Sequence, residues 1–482
     1  MPRRRRGEPR LYLKLGMLTK EQAADIFDRI RRFSSADEVE AIFTGSRFAL
    51  TRFANNVIHQ NVKDENSIVS IRTNFQGKTA RATANQFDEE SLRRAVAASE
   101  NLARVQAPDP ELLPMPTPDE ANSGNTFAEK SVRAIRFFDE TAAITPADRA
   151  EVVRRIVSVA DRNEMTTAGI YSSSESQEGI FNSRGLANWH HQTLAEISIT
   201  MLADDSSGWQ KLNSPDVSNL DATRLAETAA QKAVESAHPR EIAPGKYTVI
   251  LEPAAALDIV GFMFWDYSGV AILDQRSFLN DRIGTQLFGE NINISDDVAH
   301  PLQAGSPFDG EGMQRQRVQL VENGVVKRVV YARATAQKMR NSEYAGKAGL
   351  IEPTGHGFPL PNEVGEMPLN IVFGAPEKRQ SVAEMIASTG RGVLVTRLWY
   401  IREIDPYEKI MTGMTRDGTF LVENGKIQCG VRNFRFNQSL ISMLSNVEAM
   451  SAPVRACGEE SFDMVVPAMK VNEFNFTEVT KF

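Results

Sequence analysis

Five prolines crowd one stretch of this chain: Pro108, Pro110, Pro114, Pro116 and Pro118. Proline gives up its amide donor and fixes φ, so neither a helix interior nor a sheet interior crosses such a run. It reads as an extended spacer. A second break runs from His238-Pro239-Arg240 to Pro244-Gly245. The two breaks divide 482 residues into three parts: 1–118, with a basic start and the proline-rich linker, then 119–244 and 245–482. Three parts is also what the length suggests at roughly 150 residues per domain.

The first two parts follow one plan. Thr19–Phe33 opens with a threonine cap followed by Glu21, and Ala23, Ile26, Phe27 and Ile30 share a helical face. Thr145–Val159 repeats this, with Pro146 in the first helical position and Val152, Val153, Ile156 and Val159 as the stripe. Strand-like segments come next: Glu38–Thr44, Phe48–Phe53 and Ser67–Thr73 in one part, Ala168–Ser172, Gly179–Asn182 and Glu196–Met201 in the other. Each part closes on a helix. Asp88–Ala103 is expected to turn Leu92, Val96 and Leu102 inward, and Asp221–Ser236 to turn Leu225 and Val234 inward. The shared order suggests two related α+β domains.

The third part is mostly strands and turns. Leu320-Val321-Glu322-Asn323-Gly324 recurs as Leu421-Val422-Glu423-Asn424-Gly425. Asn-Gly between β-prone runs predicts a type I′ hairpin, because both central residues need φ > 0. The continuing strands are expected at Val325–Tyr331 and Lys426–Phe434. Pro253–Trp265 is apolar nearly all round, which predicts a buried helix. The fold class expected is therefore α+β: two related N-terminal α+β domains, then a C-terminal domain rich in antiparallel strands with a buried helix.

Charge and composition exclude several classes. Lysine and arginine number 55 against 62 acidic residues, a net charge of −7, which argues against nucleic-acid binding driven by overall charge. Two cysteines, Cys429 and Cys457, cannot build a disulfide framework, so a reducing compartment is expected. A membrane span needs about 18 consecutive apolar residues, and Ala254–Trp265 falls short and contains Asp258. Arg3–Arg6 is basic, but Leu11–Leu18 contains Lys14 and Gly16 and has no cleavage site, so a tail rather than a signal peptide is expected. The expected location is the cytoplasm.

Catalytic constellations are scarce. GxSxG, P-loop and GxGxxG signatures are missing from strand–helix junctions, and none of His59, His190, His191, His238, His300 or His356 stands in HExxH spacing. His190-His191 would point to opposite faces of a strand and could not easily share a metal. His356 lies in the glycine-flanked loop Pro353–Phe358, where backbone can approach a ligand closely, although a plain turn explains it as well. In Ser306–Gly312 the spacing of Asp309 and Glu311 is accounted for by turn chemistry. Cys457 could ligate a soft metal, but a lone cysteine is usually unligated.

Taken in order, several motifs resemble the TldD/PmbA family. They are Arg52-Phe53-Ala54-Asn55-Asn56 with Ile58 and Gln60, Asn182-Ser183-Arg184-Gly185-Leu186, Ser277-Phe278-Leu279, Pro307-Phe308-Asp309-Gly310-Glu311-Gly312, Val321-Glu322-Asn323-Gly324, Thr354-Gly355-His356, and Asn446-Val447-Glu448-Ala449 with Cys457-Gly458. The resemblance implies a cytosolic metallopeptidase system built from two related subunits and acting on peptides and unfolded chains. In it, a TldD-type subunit holds zinc with an HExxxH helix and a cysteine near the C-terminus, and a PmbA-type (TldE) subunit lacks the helix motif. The matching helix here, Pro253–Trp265 continuing to Gly269, has no histidine. Cys457 matches the third ligand's position, and a thiolate without imidazole partners is not a zinc site. The chain thus resembles the PmbA-type partner: no catalytic residue and no cofactor of its own, zinc expected in the TldD-type subunit, and a heterodimer expected. Asp266, His356 and Cys457 are the candidates to line a peptide cavity, with Cys457 a weak metal candidate. The alternatives are an independent hydrolase using those three residues and a stand-alone peptide-binding protein. No nucleic-acid or membrane partner is expected.

Overall fold

A computed structural model describes residues 17–123 and 135–480; the arginine run Arg3–Arg6 lies outside them. The first part runs α1 (Lys20–Phe33), β1 (Glu38–Ala54), β2 (Val57–Phe75), β3 (Lys78–Ala84) and α2 (Glu89–Val105). Short helices α3 (Pro118–Asn122) and α4 (Asp139–Ala142) precede the second part. There the order recurs as α5 (Pro146–Arg162), β4 (Thr166–Asn182), β5 (Ala187–Leu202), β6 (Ser207–Ser214) and α6 (Ala222–Glu235). Thr19 and Thr145 cap their helices in reciprocal boxes closed by Gln22 and Asp148, and Pro146 opens α5.

The strands are longer than the sequence suggests. Glu38–Thr44 and Phe48–Phe53 are one strand, as are Ala168–Ser172 and Gly179–Asn182. The small and polar residues between them look like breaks, yet β1 is paired along its whole length with β2 and along most of it with β4. Hydrogen bonds on both edges hold such residues extended whatever their propensity. At Gly45 the Gln177 side chain packs over the backbone, and a Cβ there, 2.6 Å from the Gln177 amide, would make it shift.

All six strands form one antiparallel sheet in the order β3-β2-β1-β4-β5-β6. β1 and β4 are both 17 residues long and meet at its centre, with Arg47 directly opposite Glu175. These two residues hold the same position in their strands, so the halves are related by a pseudo-twofold axis between them. The cores follow the same symmetry. α1 and α2 cover a core containing Phe43 and, from the far end of β4, Phe181. Under α5 and α6 lies a core containing Tyr171 and, from the far end of β1, Phe53.

Two inward expectations are corrected. Leu102 and Val234 are about half exposed, at 47% and 51%, and Ala103 and Ala233 take the inward places. On α6 the reason is close approach: a Cβ at Gly208 would lie 2.0 Å from the Ala229 carbonyl oxygen, leaving room on that face for little beyond alanine.

The helix-free face of the sheet meets the C-terminal domain, which holds a six-stranded and a nine-stranded sheet. Most pairings are antiparallel. β7 (Gly245–Leu251) with Arg391–Val395, and Ile371–Phe373 with Met464–Val466, are parallel. Both Asn-Gly hairpins form, with φ of 48° and 76° at Asn323-Gly324 and 50° and 76° at Asn424-Gly425. The strands after them are shorter than expected. One ends at Val326, beyond which Val330 bonds Tyr267, and the other ends at Gly430. Pro253–Trp265 is also shorter as an α-helix. α7 (Pro253–Val260) gives way at Gly261, which lies tight against Ser461, to a 3₁₀ turn over Gly261–Asp266. The segment is buried among both sheets except Trp265, which is 56% exposed. Among the described residues no helix is long and apolar enough to cross a membrane.

The crossed phenylalanines give a direct test. Phe53→Ala and Phe181→Ala are each expected to cost about 3–5 kcal/mol, whereas Leu102→Ala and Val234→Ala should stay within roughly 0.5 kcal/mol of wild type. Urea unfolding followed by circular dichroism checks both pairs.

Candidate functional site

α7 is the helix that the sequence resemblance aligns with a metal-binding helix. Its one ionisable residue, Asp258, is fully buried. Asp258 Oδ1 accepts the backbone amides of Glu459 and Glu460, each at 3.0 Å. Burial pushes this carboxyl up to about 7, against the pull of those two amides. Gly458 packs so closely that a Cβ there would lie 2.0 Å from Oδ1. Cys457-Gly458 is thereby clasped against α7.

Cys457 is buried, and burial, aided by the nearby Asp463 charge, pushes its thiol far above the usual range. Around it lies a closed polar network that joins the N-terminal sheet to the C-terminal domain. Arg455 donates to Asn213 at 2.6 Å and pairs with Asp463 at 2.9 Å. Lys211 reaches Glu196, Glu459 and the Gly458 carbonyl. A zinc site that uses this cysteine needs its thiolate together with imidazole or carboxylate ligands free to turn toward the metal. Here burial holds the thiol protonated, Asp463 is paired with Arg455, and Glu196 and Glu459 are paired with Lys211. Asp258 is tied through Oδ1 to two amides, leaving its buried Oδ2 as the one oxygen there without a partner among the described residues, and no imidazole beside it. Among the described residues no three His, Cys, Asp or Glu side chains converge where they could hold a metal. The residues at this position do not fit zinc.

Asp266, in the 3₁₀ turn, lies elsewhere. Burial raises its pKa, while its ion partner Lys409, which also meets Glu403 at 2.5 Å, pulls the other way. This buried pair ties the turn to the nine-stranded sheet.

His356 faces a cavity of about 350 Å³ between the sheet and the C-terminal domain. Ile42, Ile180 and Phe308 supply apolar walls, and Glu178, Asp309 and Arg315 supply charge. His356 Nε2 lies 2.9 Å from Asp296 Oδ1, and its Nδ1 lies 3.0 Å from the Thr354 hydroxyl. Burial pushes the imidazole down while Asp296 draws it up, and burial prevails. Asp296 itself stays below its ordinary range: burial opposes this, and His356, Arg315 and the Asn370 amide outweigh burial. The Thr354 hydroxyl donates to the Tyr331 carbonyl and is fully buried, so the Asp296–His356–Thr354 row presents no nucleophile to a substrate.

Asp309 and Glu311 are the residues that sequence reasoning passed over. The turn it expected is real: Asp309 Oδ1 accepts the amides of Glu311 and Met313 at 2.9 Å. Oδ2 then reaches across to the Gly357 amide at 2.7 Å, which fastens the His356 loop. Both carboxyls are buried and raised, Asp309 by burial and by the Glu311 charge, Glu311 by burial against the pull of Arg333. Glu366 joins them. It is pushed up to about 7 by burial and bonds the amides of Val270 and Ala332. The structure thus brings His356 to one cavity with Asp309, and leaves Asp266 and Cys457 in separate networks that share no hydrogen-bond partner with it.

The chain matches family models along most of its length: PmbA/TldA metallopeptidase domain 1 at residues 39–103, the central domain at 133–237 and the C-terminal domain at 244–478. It is 22% identical over 428 residues to "Metalloprotease PmbA" of Escherichia coli O157:H7, covering 84% of this chain and 85% of that one. A "Metalloprotease PmbA homolog" of Haemophilus influenzae is 27% identical over 231 residues, 47% of this chain and 46% of its own. In fold the chain is similar to the crystal structure of TldE from Thermococcus kodakarensis, with a TM-score of 0.80 at 20% identity, covering 95% of this chain and all of that one.

Asp258 carries a pH signature. Its carboxyl holds a proton more tightly in the folded chain, at about 7, than at its ordinary value of 3.8. Its contribution to stability is therefore full below the lower value and lost as pH rises through the higher one. The urea midpoint of Asp258→Asn, which keeps the Oδ1 acceptor, should fall less steeply than that of wild type between about pH 4 and about pH 7.

Proposed function

The chain belongs to the PmbA/TldD metallopeptidase family, and from that membership we propose that it is a PmbA-type subunit without a zinc site of its own. It works in the cytoplasm as the partner of a TldD-type zinc-bearing subunit, on peptides and unfolded chains. The observation that carries this reading is the clasp at α7. Where the relatives' motif calls for metal ligands, Asp258 bonds two amides and Cys457 sits neutral in a closed network. A position kept well packed after losing its chemistry is serving shape, and shape matters where it completes an assembly.

In that assembly this chain's residues bind and position and do not react. The cavity beside His356 offers apolar walls and a lining of mixed charge to a peptide side chain, and exposed strand edges can take up peptide backbone with little sequence preference.

Two measurements test the proposal. Calorimetric titration of the isolated chain should show no sub-micromolar zinc affinity, and Cys457→Ser should leave the titration unchanged. Mixing the chain with its genomic TldD-type relative should give co-elution at micromolar concentration and faster cleavage of unfolded peptides than the relative alone. A relative fully active by itself that does not co-elute would reject the subunit reading.

A further inference from the structure

Arg149 is one of the largest fully buried side chains of the protein, at 2% exposure. Its Nε donates to the Thr51 hydroxyl at 3.2 Å, Nη1 to the Ile144 carbonyl at 3.4 Å, and Nη2 to the Asn61 side-chain oxygen at 3.2 Å. All three partners are neutral, and among the described residues no carboxylate lies within ion-pair distance of the guanidinium. Buried guanidinium groups are ordinarily matched by an anion, because an unmatched charge in a low-dielectric interior is costly. The architecture does not demand an arginine here. Arg149 stands four residues after the Thr145 cap, and four residues after the equivalent Thr19 cap stands Ala23, fully buried.

The side chain lines a cavity of about 380 Å³ beside the pseudo-twofold axis, where the two helix pairs leave the middle of the sheet uncovered. Arg47 and Lys63 line the same space. Arg47 is already paired with Glu65 and Glu175, whereas Lys63 has no ion partner among the described residues. The positive end of α5 opens toward it as well. Val62 and Ile144 supply apolar wall.

We propose that this cavity is a binding site for a monocarboxylate bearing a short apolar substituent, with Arg149 as its anchor. Three of the five guanidinium N–H groups have neutral partners, leaving one on Nη1 and one on Nη2 without a partner among the described residues, and a carboxylate is the anion that accepts two guanidinium N–H groups at once. Glu175 in the lining disfavours a dianion such as phosphate and tolerates a single negative charge. Such a carboxylate is presented by the C-terminus of a short peptide and by free small carboxylic acids alike. The site does not depend on the subunit reading above, because it lies wholly within the N-terminal half.

The test uses the isolated full chain and four probes: N-acetyl-leucine, N-acetyl-leucinamide, an N-acetylated tripeptide with a free C-terminus, and inorganic phosphate. Binding is read by calorimetry and by saturation-transfer NMR. N-acetyl-leucine should bind with Kd at or below about 1 mM, and its amide at least tenfold more weakly. If the tripeptide binds more tightly than N-acetyl-leucine, the source is a peptide terminus; if more weakly, a small free acid. Lys63→Gln, an exposed change that leaves the core untouched, should weaken N-acetyl-leucine severalfold, and Arg149→Lys, which keeps the charge but loses the fork, by at least tenfold. Equal binding of acid and amide, phosphate binding in place of carboxylate, no binding of either carboxylate probe, or binding indifferent to both substitutions would each overturn the proposal.

Discussion

The antiparallel pairing of β1 with β4 is the contact on which the rest of the structure depends. It joins the two halves edge to edge, turning two three-stranded units into one six-stranded sheet. Side chains alternate across such strands, so the register decides two surfaces at once. Ala41, Phe43 and Phe53 go to the helices, while Glu40, Ile42 and Thr44 go to the C-terminal domain. A slip of one residue would put Phe43 against the cavity and Glu40 into the helix core. The ion pair of Arg47 with Glu175, at 2.9 Å, sits at the one place where the two strands present equivalent positions to each other.

The face given to the C-terminal domain is unusually polar. Glu40 pairs with Arg72 at 3.0 Å and with Arg81, and Arg81 also donates to the Leu360 carbonyl across the interface. Further along, Lys211 and Asn213 reach the Cys457–Asp463 segment. This second contact lies at the segment that follows Cys457 and packs against α7. The same stretch of chain that is clasped against α7 fastens the domain to the sheet.

Local signals were legible in the sequence and long-range ones were not. The helix caps at Thr19 and Thr145 and both Asn-Gly hairpins depend on a few neighbouring residues, and they appear where those residues stand. The strand lengths were hidden, because Gly45-Ser46 and Ser173–Gln177 are held extended by neighbours distant in sequence. Leu102 and Val234 lie one position off the inward face, where Ala103 and Ala233 are buried instead. Of the site, the resemblance pointed to α7 and Cys457, while Asp309 and Glu311 looked like turn residues. They are turn residues, and burial by a loop some fifty positions away makes them something more. Arg149 gave no signal at all, since a polar residue in a helical stripe reads as solvent-facing until the sheet is folded against it.

The buried charges explain why the sheet and the C-terminal domain belong together as one body. An ion pair out of water gains little over a well-packed apolar pair, but removing one partner leaves an unmatched charge and costs about 3–5 kcal/mol. Glu40 is 1% exposed and Arg72 3%, and Glu311 feels both Arg333 and Arg72. The Lys211–Glu459 pair and the Arg81 bond to the Leu360 carbonyl cross between the domains, so separation would break both. The cavity beside His356 has walls that are already in place: the Asp309 clasp on Gly357 and the Glu366 clasps on Val270 and Ala332 fix the loops. Preformed walls spend little binding energy on ordering, which is compatible with the peptide-binding role proposed for this cavity.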